Sequence, residues 1–170
     1  MKNLQKSKVY QQMSPDARVW IYQSSRTFNE VESKEIQTKL NDFVASWAAH
    51  GKALTACASV AYECFLIILV DEQNHSASGC SIDASVHFMK SIEQAYQIDL
   101  FNRLQIAYQT ENDIKIIDMA GFKNLVAKGT ITANTLVFNN MISQKNELEN
   151  KWLVPVTDSW HKQLLPKVFS

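Results

Sequence analysis

The alternation of apolar and polar positions divides the chain into strand-like and helix-like segments. "ARVWIYQSS" (17–25) is rich in β-branched and aromatic residues, which predicts a first strand. From Phe28 onward the period lengthens to that of a helix. The apolar positions of this segment form one stripe of an amphipathic helix: Ile36, Leu40, Phe43, Val44 and Trp47.

Two capping boxes fit the start of this helix. They are Thr27 with Glu30 and Asn29 with Glu32, and the sequence does not choose between them. The dipeptide "HG" at 50–51 places a histidine in the last turn and a glycine after it, which predicts the end of the helix.

The segments that follow predict a hairpin and a second helix. Residues 54–63 and 64–72 are two apolar segments with little between them, typical of a tight antiparallel pair. A helix is predicted over 81–96, with Ile82, Val86, Met89, Ile92 and Tyr96 on its buried side. Further elements are predicted as strands at 103–109, 114–118 and 135–140, and as helices at 121–129, 144–150 and after Thr157 and Asp158.

The order of the first elements is strand, helix, strand, strand, helix, strand. This is the order of the ferredoxin-like split βαβ sandwich (βαββαβ). We therefore predict an α+β fold, with a polar N-terminal tail at 1–14 and a ferredoxin-like domain at 15–112. A smaller αβ extension at 113–170 is predicted to pack on the first part.

Composition narrows the class of partner. Lysine and arginine number 17, and aspartate and glutamate also number 17, so no net field attracts a polyanion. This balance argues against nucleic acid or an anionic membrane as the main partner. The N-terminal residues are polar, and no apolar run approaches the ~18 residues of a membrane span, so we expect a soluble cytoplasmic protein.

Candidate chemistry centres on a cysteine at the start of the predicted second helix. Cys57 and Cys64 lie in apolar strand sequence and are predicted to be buried, reduced thiols. Cys80 instead follows Gly79, where the positive end of a helix dipole favours an anion. The anion is either a thiolate or a carboxylate or phosphate of a ligand.

Four interpretations of this segment stay open. As a catalytic site, Cys80 is the nucleophile, with His75 or His87 as its base and Asp83 orienting that base. As a metal site, His75, Cys80 and His87 supply three ligands, although no metal or cofactor is predicted. As a plain helix cap, Ser78 or Ser81 caps the helix and Asp83 complements its dipole.

The fourth interpretation is an anion-binding pocket, which needs no catalytic thiol. Its donors are the backbone N–H groups of residues 81–83, next to Ser78, Gly79 and Ser81 at the helix start. In a ferredoxin-like sandwich Arg18 and Lys52 lie at the same end, so either residue supplies the cation.

Several segments together resemble a known family. "ARVWIYQSSR", "ASGCSIDASVHF", "TLVFNN" and "VPVTDSWH" are similar to a small family of uncharacterised bacterial proteins that are often labelled ABC transporter ATPases. The resemblance implies no site residues. The label requires G-x-x-x-x-G-K-[ST] to hold phosphates, and the four glycines of this chain never form that motif. The sequence therefore predicts no ATPase activity.

A second resemblance covers the C-terminal third. "FKNLVAKGTITANTLVFNN" and "KWLVPVTDSWHKQL" resemble the small GYF-like domains of bacterial proteins. This resemblance implies a groove for a proline-rich peptide, formed by Phe138, Trp152 and Trp160. The alternative is that these aromatic side chains form the core of this part of the chain.

These observations predict a non-catalytic binding or interaction module. Its partner would be a small anionic ligand, a protein or a peptide, with the anion held at residues 78–83. The alternative is a thiol-dependent enzyme that uses Cys80. A third option is a homodimer, because split βαβ sandwiches often associate through their sheets.

Overall fold

The computed structural model describes residues 2–166 and mixes helices with antiparallel sheets, which confirms the predicted α+β class. The chain forms two compact units. The first is Met1–Phe101 with Ser143–Asn146, and the second is Asn102–Ile142 with Glu147–Ser170. No helix in the described part of the chain is long and apolar enough to cross a membrane.

Among the described residues, the first unit contains four helices and five strands. Its elements are α1 (Lys2–Gln5), α2 (Lys8–Gln12), β1 (Arg18–Gln23), α3 (Glu30–Ser46), β2 (Ala48–Ala49), β3 (Lys52–Ala53), β4 (Thr55–Ala61), β5 (Phe65–Asp71) and α4 (Gly79–Tyr96). The three longest strands form an antiparallel sheet in the order β1-β5-β4. All seven residues of β5 are buried, because this strand lies between two others and is covered on both faces.

Two helices cover one face of this sheet. Alternate strand residues such as Trp20, Ala58 and Ile68 belong to one apolar cluster with side chains of α3 and α4. The helix side chains buried in this cluster are Ile36, Leu40, Met89 and Ile92. The predicted stripe of the first long helix is thus its packing face, and the predicted hairpin is β4–β5.

The N-terminal segment covers the other face, so the prediction of a polar tail at 1–14 is wrong. Leu4, Tyr10 and Met13 are buried, and the Met13 Sδ lies 3.7 Å from Cys57 Sγ. Lys145 is also buried here, where its ammonium donates to the Met13 carbonyl (2.9 Å). The apolar side chains that cover this face are Leu4 of α1, Tyr10 of α2 and Met13 directly after α2.

Both edges of the sheet have partners. At the β4 edge, the side-chain amide of Gln37 accepts from the Val60 N–H (2.9 Å) and donates to the Ala58 carbonyl (3.2 Å). At the β1 edge, the Val19 N–H donates to the Ser143 carbonyl (2.8 Å). Covered edges resist pairing with the strands of other molecules.

The start of α3 shows which of the two predicted capping boxes forms, and its end differs from the predicted one. Asn29 and Glu32 form the capping box, and Arg26 holds both carboxylate oxygens of Glu32 (2.8 and 2.9 Å). The hydrogen bonds from Arg26, and then the Asn29 N–H, lower the pKa of Glu32 to about 2. The helix ends at Ser46, earlier than predicted. Its supposed end signal, His50 with Gly51, has positive φ at both residues and forms the two-residue turn between β2 and β3.

The buried stripe of α4 is rotated by about one residue from the predicted one. Ser81, Ser85, Met89 and Ile92 are its buried residues, whereas Ile82, Val86 and Tyr96 are only partly buried. A serine can be buried on this face because its hydroxyl forms a hydrogen bond with a backbone carbonyl. Ser85 Oγ donates to the Ile82 carbonyl (2.7 Å).

The second unit has its own antiparallel sheet, with strand order β7-β6-β8-β9. Its elements are β6 (Gln105–Gln109), β7 (Ile114–Asp118), α5 (Met119–Ala127), β8 (Leu136–Phe138), α6 (Lys145–Asn150, whose first two residues belong to the first unit), β9 (Leu153–Pro155) and two 3-10 turns, Val156–Asp158 and Trp160–Leu164. The last helix predicted after Thr157 is thus only a 3-10 turn.

The ferredoxin-like arrangement is not confirmed, because its fourth strand is elsewhere. Gln105–Gln109 pairs with β7 and β8 instead of extending the first sheet. A short turn joins β6 to β7, closed by the Thr110 N–H donating to the Asp113 carbonyl (2.8 Å), and such a local hairpin costs little loop entropy. The division of the chain therefore falls near residue 101, not at 112.

Candidate functional site

The start of α4 is a well-formed helix cap. Ser78 is the N-cap residue, and its hydroxyl accepts from the Ser81 N–H at 3.3 Å. The Ile82 N–H donates to the Ser78 carbonyl (2.9 Å), so it belongs to the helix ladder. Two of the three amides predicted to hold an anion at residues 81–83 are therefore already engaged. The interpretation of this segment as a plain cap agrees with the geometry.

The predicted catalytic set is not assembled around Cys80. The thiol is exposed, and nothing in residues 2–166 forms a hydrogen bond with it. His87 Nδ1 lies 2.8 Å from the backbone carbonyl of Asp83, so the Asp83 carboxylate does not orient this ring. Within the described residues no three His, Cys, Asp or Glu side chains lie close enough to hold a metal, which overturns the set of His75, Cys80 and His87.

The two predicted cations have other surroundings. The Arg18 guanidinium lies 4.5 Å from the centre of the Trp20 ring, a cation–π contact. Trp20 meets Trp47 edge to face at 6.0 Å, and the Trp47 indole donates to the Ser81 carbonyl (2.8 Å). Arg18 is therefore connected to the start of α4 by a chain of contacts through Trp20 and Trp47. Lys52 is exposed in β3 and forms no ion pair with a described residue.

The aromatic residues predicted to bind a peptide are largely core residues. Phe138 and Trp152 are each 1% exposed and meet edge to face at 5.1 Å. Trp160 is half-buried and stacks on His161 at 4.0 Å. Phe138 and Trp152 present no surface to a peptide, so their assignment to a groove is wrong, because the small sheet of this unit needs them for its own core.

A groove lies between α3 and α4 in the first unit. The helices are antiparallel: Trp47, after the end of α3, meets Ser81 at the start of α4, and Glu35 near the start of α3 meets Tyr96 at the end of α4. The groove has a volume of about 550 Å³, within the range of roughly 300–1,000 Å³ typical of ligand sites. It is lined by Lys39, Asp42, Phe43, Ser46, Phe88, Ser91, Ile92 and Ala95.

Two aromatic rings dominate the groove. Phe43 of α3 and Phe88 of α4 are stacked, with ring centres 4.5 Å apart and planes inclined by 10°. Both are only partly buried, so an aromatic surface faces outward. The hydroxyls of Ser46 and Ser91 donate to carbonyls of their own helices, which leaves these positions small and weakly polar.

The charged residues of the groove have no ion-pair partner among the described residues. Lys39 and Asp42 lie three residues apart on α3, so they share one side of that helix. Both are exposed, and neither forms an ion pair with any residue that the structure describes. One cation and one carboxylate at the mouth of an aromatic groove are available to a ligand.

The sequence indicated parts of this groove but not the groove itself. Phe43 belongs to the stripe predicted as core, and Phe88 lies outside the stripe predicted for α4. Their exposure depends on how far apart α3 and α4 lie, which sequence periodicity does not encode. The available signal was Phe88, a large aromatic side chain outside the buried stripe predicted for its helix.

Comparison with known proteins adds no further constraint. No protein-family model, no curated protein and no solved structure matches this chain. The resemblances to the bacterial family and to GYF-like domains therefore stay predictions from the sequence.

We expect one of the three cysteines to react in the native protein. Cys80 is exposed, whereas Cys57 and Cys64 are buried, and burial raises the pKa of Cys57 to about 12. Ellman's reagent should titrate one thiol per native chain and three in guanidinium chloride. Cys80→Ala should abolish the native reaction. Two or three fast thiols in the native protein would contradict the described packing.

Proposed function

We propose that this protein is a non-catalytic binding module and that the groove between α3 and α4 holds its ligand. The observation that carries the proposal is the stacked pair Phe43 and Phe88, partly exposed at the floor of a groove of about 550 Å³. Removing exposed aromatic rings from water is favourable in free energy. An exposed apolar surface with polar groups at its margin is typical of a binding site.

The start of α4 supports a ligand less well. Its Ser81 and Ile82 amides are engaged within the cap, and no described hydrogen bond or ion pair brings Arg18 or Lys52 to residues 78–83. An anion would have only the amides of Gly79 and Cys80, in the first turn of the helix. The α3–α4 groove offers both apolar area and free charges.

The experiment compares two tryptophan substitutions on α4. Ser91 lines the groove, whereas Gln94 is also exposed on the same helix but is not among the lining residues. With 8-anilinonaphthalene-1-sulfonate as the probe, we expect wild type and Gln94→Trp to enhance its fluorescence with the same affinity. Ser91→Trp fills the groove and should weaken binding at least about tenfold.

Unchanged melting temperatures and near-UV circular dichroism establish that both variants keep the native fold. Equal probe binding by Ser91→Trp and Gln94→Trp would place the apolar site elsewhere and overturn the proposal.

A thiol enzyme is the second candidate, and the exposure of Cys80 is the observation that favours it. It requires an imidazole to approach the thiol on binding a substrate, because His87 is bonded to its own helix in this structure. If an activity is found, Cys80→Ala should abolish it, while Ser91→Trp should not. A cytoplasmic location and a homodimer stay predictions for the module.

A further inference from the structure

The chemistry of the α3–α4 groove narrows the class of ligand. Its floor is the stacked pair Phe43 and Phe88, which favours a flat ring that continues the stack. Its two serine hydroxyls are already engaged with helix carbonyls, so they select no donor or acceptor strongly. Lys39 and Asp42 are the lining groups that carry charge.

Lys39 and Asp42 carry opposite charges at fixed positions along α3. Lys39 offers three N–H donors to an anionic group, and Asp42 offers carboxylate oxygens to a cationic group one turn along the same helix. A ligand with only one charge would satisfy one of these residues and lie beside the like charge of the other. A ligand with both charges and no net charge satisfies each.

We infer, on the basis of the function proposed above, that the groove takes a small zwitterion that carries an aromatic ring, of which a free aromatic amino acid is the simplest example. In this arrangement the ring lies against Phe43 and Phe88, the carboxylate meets Lys39, and the ammonium meets Asp42. The ring supplies most of the affinity, and the two charges supply selectivity and orientation.

The test uses four probes that share a phenyl ring and differ in the charged groups that they carry. They are L-phenylalanine, 3-phenylpropionate without the ammonium, 2-phenylethylamine without the carboxylate, and N-acetyl-L-phenylalaninamide without either charge. Binding is measured by shifts of the Phe88 and Ser91 amide signals in ¹H–¹⁵N spectra of the full chain. We expect L-phenylalanine to bind most tightly, and the neutral amide to bind about two- to fivefold more weakly for each exposed charge pair that is lost.

Variants assign each charge to its partner. Lys39→Met should weaken L-phenylalanine and 3-phenylpropionate about two- to fivefold and should not weaken 2-phenylethylamine, whose ammonium loses a neighbouring like charge. Asp42→Asn should do the reverse, weakening L-phenylalanine and 2-phenylethylamine alone. Lys90→Met is the matched control, since Lys90 is an exposed lysine of α4 that does not line the groove, and it should change none of the affinities.

Two failures can be told apart. If N-acetyl-L-phenylalaninamide binds as tightly as L-phenylalanine and Lys39→Met has no effect, the zwitterion is wrong and an aromatic side chain of a peptide or protein is the better occupant, while the groove stays a binding site. The proposed function itself is wrong if two results are found together. None of the four probes shifts the Phe88 and Ser91 signals, and 8-anilinonaphthalene-1-sulfonate binds Ser91→Trp as tightly as wild type.

Discussion

Trp152→Ala is expected to destabilise the second unit by roughly 3–5 kcal/mol, the range for removing a large buried aromatic side chain. Trp152 is 1% exposed and packs edge to face against Phe138. Its indole N–H also donates to the Asn140 side chain at 3.0 Å, so the substitution removes a hydrogen bond together with the packing. Urea denaturation followed by far-UV circular dichroism measures the loss.

Trp160→Ala is the matched control, because Trp160 is the half-buried tryptophan of the same unit and stacks on one face of His161. It should cost clearly less free energy of unfolding than Trp152→Ala. The comparison also separates two roles for these residues. In a peptide groove, both substitutions would be tolerated by the fold and would affect only binding. Equal and small losses for the two variants would contradict the assignment of Trp152 to the core.

Local patterns predicted the elements of the first unit well. The stripe from Ile36 to Trp47 gave α3, because its spacing records which side of the helix faces the sheet. The apolar segments at 54–63 and 64–72 gave β4 and β5, since adjacent strands with a three-residue connection pair with each other. The capping box of Asn29 and Glu32 depends on residues three apart, so it too was visible in the sequence.

Pairing between distant segments was harder to predict. The position beside the start of β1, where a ferredoxin-like fold has its fourth strand, is held by Ser143 and Lys145, more than a hundred residues later in the chain. β6 carries no signal that distinguishes pairing with β1 from pairing with β7, because alternation of apolar residues specifies a face and not a neighbour. Order of elements alone therefore suggested a topology that the sheet does not have.

The candidate site shows the same limit. The candidate chemistry of the Cys80 segment is visible in its residue types, yet the amides of Ser81 and Ile82 already bond to Ser78. The groove of Phe43 and Phe88 has no motif, since it arises from the separation of two helices over a sheet. Reactive residue types are visible in the sequence, whereas a concave surface depends on how the helices pack in three dimensions.

The second large effect concerns pH and the histidine in the core of the second unit. His161 is 1% exposed, with Ser159 Oγ 2.8 Å from its Nδ1 and the rings of Phe122 and Trp160 at 5.9 and 4.0 Å. Burial among these groups lowers the pKa of His161 from 6.5 to about 4, because an imidazolium there would lose its hydration. The ring is therefore neutral in the folded protein at pH 7.

Between pH 6.5 and 4 the unfolded chain binds a proton at His161 that the folded chain does not bind. Stability from this residue is thus fully present above pH 6.5 and falls as the pH decreases, by roughly 2 kcal/mol between pH 7 and pH 5 and roughly 3 kcal/mol by pH 4. Urea denaturation of wild type and His161→Phe across this range measures the difference. The variant should lose less stability on acidification by this amount, whatever its stability at pH 7.

His87→Gln is the control, because His87 is an exposed histidine of the first unit and its loss should leave the pH dependence of the second unit unchanged. The carboxylates that titrate at acidic pH are common to all three proteins, so they cancel in the comparison. Parallel pH profiles for wild type and His161→Phe would mean that His161 takes up a proton in the folded state, and that the packing around its ring opens to admit water. A steeper profile for wild type and His87→Gln than for His161→Phe identifies His161 as a group whose protonation destabilises this unit in acid.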